Sequence, residues 1–175
     1  MKFLEKDLEE IIWEQLQTTK GGEELLKRGL YTNQEGKHYR QLRLGSYGVA
    51  DLVSISRSRE YRDFPKLDSV HPYLDITVYE LKKDKISMSA FLQAIGYCKA
   101  IKRYVNRFRG KDSEIRFTVV LVGYELDVNS SFSYLPDIIN SEEFSLLNYK
   151  YEFGIDGLQF SPQWGYALKE EEFKL

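Results

Sequence analysis

The sequence predicts a single α/β domain with a central mixed sheet flanked by helices. An amphipathic helix is followed by three strand-like runs, a second and longer amphipathic helix, and a further apolar strand. The helix between the last two strands supplies a crossover that makes them parallel, whereas the earlier strands are spaced for antiparallel pairing. With 175 residues and 42% hydrophobic side chains the chain can bury one real core.

Each element has its own signal. "FLEKDLEEIIWEQLQ" puts Leu4, Leu8, Ile11, Ile12 and Leu16 at helical spacing and is expected to end near "KGG". "HYRQLRLG" and "GVADLVSIS" read as strands joined by the turn-like "GSYG". The polar stretch from Arg57 to Asp75 contains two prolines and reads as a long connection projecting from the sheet, before the strand "ITVYELKK". "SMSAFLQAIGYCKAIKRYVNRF" follows as a helix capped by Ser87 or Ser89, with Phe91, Leu92, Ile95, Ile101 and Val105 on one stripe. "IRFTVVLVGYEL" is a buried strand by its β-branched content. Beyond Asp127 the pattern weakens to a short helix within "SYLPDIINSEEFSLLN" and a hairpin turned at "GIDG". One domain over 1–175 is expected, with its core at about 3–125 and a C-terminal hairpin extension at about 126–175.

Composition narrows the chemistry. Cys98 is the sole cysteine, which excludes an intrachain disulfide and a cysteine-rich zinc site. With His38 and His71 the only histidines, a metal would be held mainly by carboxylates, which favours magnesium or manganese. No secretory leader and no run of about eighteen apolar residues is present, so an intracellular, cytoplasmic protein without a membrane partner is expected. The net charge of −2 conceals a segregation: Lys82 to Lys111 holds nine basic residues and one acidic, and Asp112 to the end four basic and twelve acidic. The basic segment suits phosphate contacts, or else is the solvated face of a helix.

Aspartate is depleted in strands and rarely buried alone, so Asp51 within "YGVADLVSI" calls for companions. "VYELKK" offers them, because Glu80 and Lys82 flank Leu81 and share one face of a strand. Carboxylates crowded together raise each other's pKa, a conflict that a divalent cation removes. Asp51 as a turn cap after Gly48, and Glu80 with Lys82 as an exposed pair, are the plainer readings. His38 and His71 carry no assigned role. Tyr149, Tyr151, Phe153, Phe160 and Trp164 read as core and hairpin packing, with base stacking as the alternative.

"VAD", "ELK" and, further on, "QAIGY" together resemble the PD-(D/E)XK nuclease superfamily over roughly Leu4 to Tyr124, with Ala50 where the family often has proline. The resemblance implies a restriction-endonuclease-like αβββαβ core and hydrolysis of DNA phosphodiesters with Mg2+ or Mn2+. It implies Asp51, Glu80 and Lys82 as the catalytic centre, with Gln93 and Tyr97 as the Q-x-x-x-Y motif of the RecB-like branch. Glu5, from "EKDL", is the matching helix glutamate, with Glu9 as substitute. The metal would be held by Asp51, Glu80, Glu5 and the Leu81 carbonyl. Lys82 would orient or deprotonate the attacking water, or neutralise developing charge. Lys83, Lys99, Lys102 and Arg103, and further along the helix Arg107 and Arg109, would follow the nucleic-acid backbone. A homodimer is a further implied partner. DNA or RNA, single or double strand, and endo- or exonuclease action stay open, and the alternative is a nuclease-like module that binds nucleic acid or a protein without cutting.

Overall fold

The computed structural model describes residues 4–18, 20–61, 70–109, 114–127 and 135–163. Helix α1 (Glu5–Gln17) buries Leu8, Ile12 and Leu16, and the Asp7 carboxylate accepts the Leu4 amide at 2.7 Å to close its first turn. α1 ends just before "KGG", as expected, and a second helix, α2 (Gly21–Lys27), begins at once. A Cβ on Gly21 would lie 1.3 Å from the Gln15 carbonyl oxygen, so glycine here permits the two helices to touch rather than ending one of them.

Strands β1 (Lys37–Arg43) and β2 (Val49–Tyr61) are joined through a 3-10 turn at Gly45–Tyr47 and pair antiparallel. β2 pairs antiparallel with β3 (Val70–Leu81) from Tyr61↔Val70 to Leu52↔Tyr79. Much of the polar stretch expected to be a connection is therefore strand; the linking residues 62–69, with Pro65, lie outside the described residues. Pro72 is tolerated because β3 meets β5 (Glu114–Gly123) only from Tyr73 onward, so no second neighbour requires its missing N–H. Ser58, Asp75 and Arg116 then join three strands by side-chain hydrogen bonds, Arg116 Nε donating to Asp75 at 2.6 Å.

Between β3 and β5 lie a two-residue strand, β4 (Lys85–Ile86), and helix α3 (Met88–Arg109). The Phe91 amide donates to the Ser87 carbonyl, so Ser87 is the residue from which the helix departs, and Ser89 lies inside it. After β5 come β6 (Glu125–Leu126), α4 (Leu135–Ile139), β7 (Phe144–Gly154) and β8 (Gly157–Pro162). The six-stranded sheet has the order β1-β2-β3-β5-β7-β8, with β3, β5 and β7 parallel and both flanks antiparallel; β4 and β6 form a small parallel pair. The mixed α/β sheet is as expected. The C-terminal hairpin, however, continues this sheet: Phe144 to Lys150 pair with Phe117 to Gly123.

Alternation along the strands divides the core in two. Val53, Val78, Val119 and Leu121 pack with α3, while Leu52, Tyr79, Val120 and Val122 pack with α1 and α2. Phe91, Ile101 and Val105 occupy the inner face of α3, but Leu92 is 60% exposed and Ile95 only partly covered, so the predicted stripe is correct save for Leu92. No helix among the described residues is long and apolar enough to cross a membrane. Leu121→Ala is expected to cost about 2–5 kcal/mol in urea unfolding, and Leu92→Ala no more than about 0.5 kcal/mol.

Candidate active site

The site forms where β2 leaves β3. Backbone pairing ends at Leu52↔Tyr79, and the next position on each strand is Asp51 and Glu80. Oδ2 of Asp51 accepts the Leu81 amide at 2.9 Å, so a side-chain carboxylate takes over where a strand partner would continue the ladder. On the other side, β1 pairs Arg40 with Leu52 and Leu42 with Ala50, but Gln41 between them drops out of the pairing at φ 50°. That left-handed backbone is uncommon for a residue with a side chain and marks stored strain beside Asp51. Alternation breaks at the same point: Ala50 packs on the α3 side and Leu52 on the α1 side, although residues two apart should share a face.

Glu80 is only 1% exposed. Lys82 Nζ donates to its Oε1 at 2.5 Å, and Oε2 is buried with no hydrogen-bond partner among the described residues. Burial pushes the Glu80 carboxyl up to about 7, assisted by the nearby Asp51 charge, and burial likewise raises Asp51 to about 6 against the opposing Leu81 hydrogen bond and Lys82 charge. Burial pulls the Lys82 ammonium down, but its Glu80 hydrogen bond and the charges of Glu80, Glu5 and Asp51 prevail, leaving its pKa raised. The ammonium form of Lys82 is thus favoured by its carboxylate neighbours.

The helix glutamates separate clearly. Glu9 is buried, and both its oxygens are occupied at 2.5 Å by Arg40 Nε and Gln41 Nε2, while Arg40 reaches Glu10 at 2.6 Å. Glu5 is exposed, accepts the Lys83 amide at 3.3 Å, and lies close enough to raise both Asp51 and Glu80 electrostatically. Glu5, Lys6, Glu9, Arg40, Gln41 and Asp51 line an open cavity of about 640 Å³. Arg40 and Gln41 were not foreseen, although counting back from the "GSYG" turn places Gln41 opposite Asp51.

Gln93 and Tyr97 come from α3 on the other side of Asp51. Gln93 Nε2 donates to Tyr97 Oη at 2.6 Å, and Tyr97 Oη donates to the Val49 carbonyl at 2.8 Å, two residues before Asp51. Gly48, at φ 103°, turns the chain into β2 so that this carbonyl meets the phenol. Of the proposed phosphate contacts, Lys83 lies beside Asp84 at 4.0 Å, and Arg103 donates to Tyr47 Oη at 2.7 Å. Lys99 and Lys102 are exposed, but Lys102 is about 180° around α3 from Gln93 and so faces away from it. The side chain of Arg109 lies outside the described residues. His38 is structural, its Nδ1 2.6 Å from Ser54 Oγ and its pKa lowered by burial.

Among the described residues no three His, Cys, Asp or Glu side chains are grouped as a ready metal cage. A hard cation that keeps several waters needs only one or two carboxylates. The orphaned Oε2 of Glu80, buried near Asp51, is an oxygen donor of the right chemistry, with Glu5 on the solvent side. Compared with protein-family models, with curated proteins and with solved structures, the chain matches none of them.

Both the Asp51 and the Glu80 carboxyl are weaker acids in the fold than their ordinary values of 3.8 and 4.5 imply, so the folded state holds protons that the unfolded chain releases. Stability is thus expected to fall as pH rises from about 4 through about 7. In thermal melts with chelator, Glu80→Gln should gain on wild type as pH rises across that window; a difference that does not vary with pH would contradict the assignment.

Proposed function

We propose that the chain is a metal-dependent nuclease that hydrolyses phosphodiester bonds, with Asp51, Glu80 and Lys82 as its centre. The observation that carries this reading is the juxtaposition of a buried and a half-buried carboxylate, mutually repelling, with one ammonium, one oxygen of the buried carboxylate having no hydrogen-bond partner among the described residues. Such a group is costly to a fold and has a use where anionic chemistry takes place. The resemblance of "VAD", "ELK" and "QAIGY" to the PD-(D/E)XK superfamily supports the same assignment.

Asp51 on β2 and Glu80 on β3 would hold Mg2+ or Mn2+, helped by the Leu81 carbonyl, with Glu5 at the opening. A divalent cation, when bound, supplies Lewis-acid charge at the scissile phosphate. Lys82 remains protonated and sets positive charge against the phosphate oxygens as water attacks phosphorus and the ester oxygen leaves. The Leu81 amide fixes one oxygen of Asp51, a residue that lines the open cavity. Tyr97 and Gln93 hold the start of β2 in place through Val49 and so govern where Asp51 sits. DNA is the preferred substrate class. The lack of a grouped three-carboxylate set among the described residues favours, as a second reading, a nuclease-like module that binds nucleic acid without cutting.

The test is cleavage of circular and linear single-stranded DNA and of duplex DNA with Mg2+, Mn2+ or chelator. Wild type should cut only with metal, Asp51→Ala should abolish cutting, and Lys82→Ala should lower the rate by roughly 10²–10³. Metal-independent cutting, or full activity in both variants, would refute the assignment. Binding without cutting would establish the second reading.

A further inference from the structure

We propose that the site is served by single-stranded nucleic acid whose bases stack on Tyr104 and Phe108, along the same face of α3 that carries Gln93 and Tyr97. This substrate class rests on the nuclease reading of the site. At 100° per residue, Gln93, Tyr97, Tyr104 and Phe108 fall within about 60° of arc, and Tyr97 to Phe108 spans about 16 Å of helix. The stripe therefore begins against β2 next to Asp51 and runs outward from it.

Its outer end is poorly suited to plain solvent. Tyr104 is 65% and Phe108 64% exposed, with ring centroids 4.6 Å apart. An exposed aromatic pair on a helix that also buries a full inner face is surface held ready for another flat partner. Beside the rings, a cavity of about 510 Å³ opens between α3 and the first hairpin, lined in part by Tyr39, Leu42, Ile55 and Arg43.

The charge around the stripe selects the partner. α3 has no Asp or Glu over its 22 residues, and none lines the cavity among the described residues. Arg107 lies over the Phe108 ring at 5.6 Å, and Arg103 over Tyr47 at 6.0 Å with a hydrogen bond to its hydroxyl. Rings interleaved with guanidinium groups offer every base a π-face and every phosphate a cation. A duplex keeps its bases stacked on one another and presents mainly its backbone to such a surface, so the aromatic pair would contribute only to an unpaired strand. An apolar protein partner would leave the cations without counter-charge.

The experiment uses the whole chain in chelator, so that binding is read without cleavage. A fluorescein-labelled single strand of about 15 nucleotides and its duplex are titrated by anisotropy, with wild type and the Tyr104→Ala/Phe108→Ala double variant. Expected are tighter binding of the single strand than of the duplex, and a loss of roughly tenfold or more in the double variant for the single strand alone. Equal affinity for both forms, or an unchanged single-strand affinity in the variant, overturns the proposal. So does sedimentation showing that the variant turns a dimer into a monomer, which would make the stripe a contact between copies. Circular dichroism melts check that the variant folds. Cleavage with Mg2+ is scored separately: stacking-dependent binding without cleavage leaves this inference standing and removes the nuclease reading, whereas cleavage indifferent to both rings does the reverse.

Discussion

The hydrogen bond from the Leu81 amide to Asp51 is the hinge of the architecture. At that point β2 stops pairing with β3, and a carboxylate supplies what the backbone of β2 no longer provides. An amide left unpaired there would carry the penalty of a buried donor without a partner, so the strands can part only if a short acidic side chain bridges them. The parting creates the cleft. Glu80 and Lys82 can face into it because β3 continues to pair with β5 on its other side as far as Leu81, keeping the strand straight under them.

Supporting such a cleft has a cost that the rest of the domain offsets. Two carboxyls whose pKa values are raised sit on strands among fully buried aliphatic residues, Leu52 and Leu81 in one half of the core and Ala50 and Val78 in the other. Glu9, whose charge also raises Asp51, is paired with Arg40 and accepts a hydrogen bond from the Gln41 side-chain amide, while Gln41 sits in a left-handed backbone conformation. A local conflict of charge is thereby stabilised by an extensive core, an arrangement usual where sequence preference and local structure disagree for a functional reason.

Most of the element order was legible because it rests on periodicity. The apolar spacing of α1 and α3 and the β-branched run of β5 each encode which face is buried, and the α3 crossover dictates that β3 and β5 run parallel. What escaped notice depends on contacts between residues remote in sequence. "GG" after α1 resembles a helix terminator, and only the proximity of Gln15 reveals it as a packing device. Arg57 to Asp75 looks like a loop by composition, yet partners such as Arg116, supplied by another strand, make it sheet. For the site, Asp51, Glu80 and Lys82 are brought together as their strand positions suggested. The match of "EKDL" put Glu5 ahead of Glu9, but the hydrogen bonds from Arg40 and Gln41 that occupy Glu9 could not be read from spacing.

The parallel pairing of β7 with β5 bears on how the chain comes to be folded. β5 is apolar on both faces and has β3 on one edge; until β7 arrives, its other edge and the side chains of Val120 and Val122 lack Leu147, Tyr149 and Tyr151 as cover. Tyr151 also donates to the Lys83 carbonyl at 2.6 Å, linking the last third of the chain to the residue just beyond the Glu-Leu-Lys triplet. A ribosome-bound nascent chain ending near residue 127 would therefore hold nearly all of its proposed chemistry on an open, adhesive sheet edge. Completion must await synthesis of β7, and these long-range parallel contacts make the final step a slow one, open to interception by chaperones.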